Sequence, residues 1–228
     1  MGHGSCVRVL YALALNLGNR SNEYIYGAYI TALRLLAGCR RGERLGDALE
    51  EAEEYLGIVL GDNPGLGEAL EAAREVYAMA SREGCEEELI GLEEGGYEHI
   101  RSALYAIASR ELLGAQSWRT RQAILVLRTI SDEPERWEKL TPRGTVITSL
   151  EELHTAASRQ AAPAGLRESY YTIAPWRRIE IEYNMENAIN ALIRSGVMVE
   201  ARRLGAYIVP APYLEKEFIK LLKESLRA

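Results

Sequence analysis

At 228 residues and 25.4 kDa, with 47% hydrophobic and 26% charged side chains, the chain has ordinary globular composition, which excludes wholesale disorder and suits two small domains. Its formal net charge of −6 conceals a change of sign, because residues 1–116 carry 10 basic and 19 acidic side chains while residues 117–228 carry 17 and 14. We therefore expect an acidic domain over 1–116 and a slightly basic one, the candidate for a polyanion, over 117–228.

In the first half almost every segment from residue 5 to 114 reads as helix. Ile25, Tyr29, Ala32 and Leu36 recur at helical spacing, with Ser21 or Asn22 as cap and Gly38 as stop. Leu45, Ala48, Ala52, Tyr55 and Leu56 form a second stripe, backed by Glu50, Glu51, Glu53 and Glu54. Gly61-Asp62-Asn63-Pro64-Gly65 is a turn from which Pro64 leads into a helix bearing Leu70, Ala73, Tyr77 and Ala80. Tyr97, Ile100, Leu104 and Ile107 mark another helix, stopped at Gly114. Five helices joined by short connections predict an all-helical bundle, and no fixed-period repeat is visible.

In the second half Thr120 is expected to cap a helix carrying Ala123, Ile124, Leu127 and Ile130, closed by Pro134. The β-branched run Thr145-Val146-Ile147-Thr148 predicts a short strand leading into a helix capped by Ser149 and ending near Gln160. Asn184 is expected to cap a helix with Met185, Ile189, Leu192 and Ile193 on one face, ended by Gly196. Val197-Met198-Val199-Glu200-Ala201 and Ala206-Tyr207-Ile208-Val209 then read as a hairpin with Arg202-Arg203-Leu204-Gly205 at its tip. A last stripe, Leu214, Phe218, Leu221, Leu222 and Leu226, is wide enough to bury against a second copy or its own domain.

Enzyme chemistry finds no foothold. His3, His99 and His154 offer no i, i+4 pair for a metal, and Glu151 with His154 is half of a carboxylate–histidine motif with no second copy. The acidic clusters lack a nucleophile or basic partner, and the turn at Gly61–Gly67 carries Asp62 and Glu68 where a phosphate cradle needs Lys and Ser or Thr. Cys6, Cys39 and Cys85, odd in number and widely spaced, read as buried free thiols. The chain is expected to use no cofactor and no metal. No apolar run approaches the ~18 residues of a membrane span, and Met1–Leu10 lacks a leader pattern, so a cytoplasmic protein without a membrane partner is expected. Arg outnumbers Lys 23 to 4, a bias expected of a GC-rich, heat-adapted source.

The order helix, short strand, helix, helix, hairpin over residues 120–212 resembles the winged helix-turn-helix superfamily. Its most family-like stretch is Asn190-Ala191-Leu192-Ile193-Arg194-Ser195-Gly196-Val197-Met198-Val199-Glu200, similar to a recognition helix, its glycine and the first wing strand. The resemblance implies a third helix in the major groove and a wing on the backbone. Asn187, Asn190 and Arg194 would then face base edges, and Arg202 and Arg203 would face phosphates. The sequence departs from the family at Ala161–Tyr183, where a short turn is usual. There Arg177 and Arg178 are further candidates for phosphates, with Trp176 expected to pack onto the core.

The expected fold is thus mainly α, an N-terminal helical bundle followed by a winged-helix-like α+β domain with a small β-hairpin and a C-terminal amphipathic helix. The expected function is binding of double-stranded DNA, as a transcriptional regulator or a replication or segregation factor, with the helical domain serving self-association or a protein partner. The alternative is a non-enzymatic adaptor whose winged helix docks on protein.

Overall fold

A computed structural model describes residues 20–40, 43–82, 95–114, 117–140 and 144–227. The helix expected before residue 20, the side chains of all three cysteines and His3 lie outside what it describes. The chain divides into two units, Met1–Ile107 with Val199–Gly205, and Ala108–Met198 with Ala206–Ala228. The architecture is mainly α with a small antiparallel sheet in the C-terminal part.

In the first unit, α1 (Asn22–Arg40), α2 (Leu45–Leu60) and α3 (Leu66–Arg82) pack on one another. α4 (Gly95–Leu113) follows, and the division between the units falls within it. Ser21 caps α1, its Oγ accepting the Tyr24 amide at 3.2 Å, a contact worth roughly 0.5–2 kcal/mol. Gly38 does not stop α1. It sits where an added Cβ would lie 3.0 Å from Ala48 Cβ, so its missing side chain serves helix packing rather than termination. α1 and α3 come closer still, since a Cβ on Gly27 would fall 2.3 Å from the Ala69 carbonyl oxygen. Small residues on α3, Ala69, Ala72 and Ala73, admit this approach and are fully buried. Arg34, 4% exposed, is held by Glu43 at 3.0 Å and by Glu51, pairing that a buried guanidinium needs to offset its lost hydration.

The turn after α2 receives part of the hairpin that belongs to the same unit. β3 (Val199–Ala201) and the 3-10 turn Arg202–Leu204 pack against α2, and β3 also meets α1. Asn63 is buried there. Its Oδ1 accepts the Gly65 amide at 2.8 Å, and its Nδ2 donates to the Glu200 carbonyl at 3.3 Å. Gly205, at φ 59°, closes the hairpin turn in the left-handed region that glycine adopts without penalty.

In the second unit, α5 (Ser117–Asp132), α6 (Leu150–Ala161) and α7 (Pro175–Arg194) pack pairwise around Leu127, Leu153, Met185 and Leu192. α5 begins at Ser117, three residues before the expected cap. Thr120 lies inside it, and its buried Oγ1 donates to the Leu112 carbonyl at 2.8 Å, tying the end of α4 to the start of α5. Ser149 caps α6 as expected, its Oγ accepting the Glu152 amide at 3.1 Å. β1 (Glu138–Leu140), which the sequence pattern did not reveal, pairs antiparallel with β2 (Gly144–Ile147). β2 pairs antiparallel with β4 (Ala206–Pro210), Val146 opposite Ile208, so within this unit the order is β1-β2-β4.

α7 is the main departure from expectation. Rather than starting at Asn184 it runs unbroken from Pro175, whose fixed φ and missing N–H suit a first helical position. The segment before it, residues 162–174, holds two 3-10 turns and is pinned by Tyr170, which is buried with Ala162 and Ile173 against Ile181. The C-terminal stripe also has its place within the unit. α8 (Lys216–Ser225) buries Phe218, Ile219 and Leu222 and packs on α5, so that face is taken up within its own chain.

Candidate functional site

The site is built on the solvent side of α7. At 100° per residue, Met185, Ala188, Ile189 and Leu192 turn to the core, and Trp176, Ile179, Tyr183, Asn187, Asn190 and Arg194 share the opposite face. Its C-terminal half and the start of α5 enclose a concavity of about 230 Å³ lined by Glu111, Leu112, Arg119, Asn187, Asn190, Ala191, Arg194 and Ser195. Three expected residues, Asn187, Asn190 and Arg194, are therefore brought together. Asn190 and Arg194 are exposed; Asn187 is half-buried and spends one amide hydrogen on the Tyr183 carbonyl at 2.8 Å. Ser195, also in the wall, is buried and donates its hydroxyl to the Leu192 carbonyl at 3.1 Å.

Arg119 is a contributor that the sequence did not single out. With α5 expected to begin at Thr120, Arg119 fell in a linker; the helical start at Ser117 turns it into the wall of the concavity. Two guanidinium groups and one carboxylate, Glu111, line this space, and Glu111 lies 3.6 Å from Arg110. Amide edges flanked by guanidinium groups can pair with bases or with anions. Nothing in the wall supplies a nucleophile beside a general base.

The remaining candidates lie elsewhere. Arg177 is exposed on the first turn of α7. Arg178 is engaged locally, its Nε 3.6 Å from Glu182 and its Nη1 donating to the Tyr171 carbonyl at 3.3 Å. Trp176 does not pack onto the core as expected. It is 69% exposed, and Ile179 and Tyr183 are each 63% exposed on the same face. Arg202 and Arg203 belong to the first unit. Arg202 pairs with Glu200 at 3.0 Å, and the Arg203 stem passes beside Gly61, where a Cβ would meet its Cδ at 3.3 Å.

Behind α7, Glu182 gathers several ties. Its carbonyl accepts His154 Nε2–H at 2.8 Å, fixing that tautomer, and its carboxylate accepts the Tyr170 hydroxyl at 3.1 Å. Burial, the hydrogen bond and the charge of Glu182 push the Tyr170 phenol up to about 12. His154 thus has a positioning role, while Glu151 is exposed. Among the described residues no group of three or more His, Cys, Asp and Glu side chains gathers to hold a metal, and no helix is long and apolar enough to cross a membrane.

Fold and site together define a mainly helical protein presenting one long helix edge to solvent. Compared with family models, curated proteins and solved structures, the chain matches none.

Proposed function

We propose that the chain binds duplex DNA, reading bases with the C-terminal half of α7. The observation that carries this reading is the convergence of Asn187, Asn190 and Arg194 of α7 with Arg119 of α5 around one concavity. Asparagine and arginine are the side chains able to bond adenine and guanine edges bidentately, and Arg119 and Arg177 suit the flanking phosphates. The order α5, β1-β2, α6, α7 supports the winged-helix resemblance. Regulation of transcription, replication or segregation fits such a protein, and the acidic helices of the first unit are then free to serve a protein partner.

Fluorescence anisotropy of the full chain on random duplex and on single-stranded DNA, repeated over a salt series, tests the reading. Duplex binding should weaken with a log–log slope of roughly −2 to −4, because each neutralised phosphate releases close to one counterion. Absence of duplex affinity at low salt would overturn it in favour of an adaptor that docks on protein.

A further inference from the structure

Seven large apolar side chains are exposed among the described residues, and five of them fall between Leu166 and Tyr183. Trp176, Ile179 and Tyr183, at i, i+3 and i+7, form an unbroken stripe on α7, with Tyr171 (63% exposed) on the turn just before the helix. Side chains of this size in one row exceed the scatter of single apolar residues on a monomer surface. At about two-thirds exposure and ~150–250 Å² per large side chain, the four offer roughly 500 Å² per copy, and about 1,000 Å² in a pair, which is the size of a weak, reversible interface.

We infer that this stripe is a self-association face, its occupant the same stripe of a second copy, paired antiparallel about Ile179. The stripe is complementary to itself. A twofold axis at Ile179 sets Trp176 of each copy opposite Tyr183 of the other and Ile179 against its own counterpart. Arg177 and Glu180 flank the stripe on one side, both exposed, and neither makes an ion pair among the described residues. The same axis brings each Arg177 to Glu180 of the other copy. The near-balanced charge of this stretch, Arg177 and Arg178 against Glu180 and Glu182, suits a like partner better than a polyanion. The stripe and the proposed base-reading residues share one face of α7, and the same axis sets Tyr171 of one copy near Asn187 of the other, so dimer and duplex compete for this edge while sedimentation without DNA reads the dimer by itself.

Sedimentation velocity on the full chain, run as a concentration series, tests it. The wild type should pass from monomer to dimer, with tryptophan emission shifting to the blue as Trp176 loses water. Trp176→Asp should stay monomeric at concentrations where the wild type is dimeric, with unchanged circular dichroism because that side chain is 69% exposed. Arg177→Glu and Glu180→Arg should each weaken dimerisation at least tenfold, and the double exchange should restore it. A wild type that remains monomeric at its highest soluble concentration would overturn the inference. So would a dimer that Trp176→Asp leaves intact, or single charge changes that the double exchange does not rescue.

Discussion

Replacing Tyr183 by proline separates a continuous α7 from one that begins at Asn184. Position 183 lies in mid-helix, so proline removes the amide that bonds the Ile179 carbonyl and drives its ring into that carbonyl, at a cost of about 3 kcal/mol. It also pushes the preceding residue, Glu182, out of helical geometry. That residue holds the His154 and Tyr170 hydrogen bonds, so the damage extends to residues 162–174 instead of fraying one turn. Because the Tyr183 side chain is 63% exposed, Tyr183→Ala is the control that removes it without touching the backbone. Thermal unfolding followed by circular dichroism should put the proline variant about 6–12 °C below the alanine variant, given 2–4 °C per kcal/mol in a chain of this size. Proline and alanine variants melting within about 1 °C of each other would refute the continuous helix, because a proline just ahead of a helix cap costs little.

Gly27→Ala should destabilise the first unit by roughly 1–3 kcal/mol, as the new methyl group meets Ala69 backbone on α3, whereas Gly67→Ala, with nothing within 4 Å, should be neutral or mildly stabilising; equal urea midpoints would refute the close helix contact. Tyr170→Phe should cost about 1 kcal/mol at neutral pH for the lost Glu182 hydrogen bond. The folded phenol titrates near 12 and the unfolded one near 10, so its contribution is complete below pH 10 and lost as pH rises towards 12. The variant should therefore show a shallower loss of stability across that window, and a parallel loss in both proteins would contradict the assignment.

Much of the fold was legible in the sequence because its signals are local. Ser21 and Ser149 cap helices through their own hydroxyls, and Gly196 and Gly205 occupy turn positions at positive φ, where glycine is expected. What escaped depended on partners far along the chain. Gly38 looked like a stop, but its absent side chain is explained by Ala48. β1 has weak strand character of its own and exists through pairing with β2. α7 was read as half its length because the apolar period shifts: Met185, Ala188, Ile189 and Leu192 mark the buried face, and Trp176, Ile179 and Tyr183 mark the opposite one. Pro175 was the available signal, since proline at a first helical position announces the start. The grouping of Asn187, Asn190 and Arg194 was legible because they sit on the back of a correctly oriented stripe. Arg119 was missed with the helix start that orients it.

The most direct test of duplex reading by α7 compares the wild type with Asn190→Ala/Arg194→Ala on two DNAs, a duplex selected by the wild type from a random pool and an unselected duplex of equal length. Both side chains are exposed, so the variant should fold as the wild type does. Loss of base-edge contacts worth roughly 1–3 kcal/mol each should weaken binding to the selected duplex at least tenfold and change the unselected one little. An unchanged affinity for the selected duplex, or an equal loss on both DNAs, would contradict the assignment of α7 as the base-reading helix.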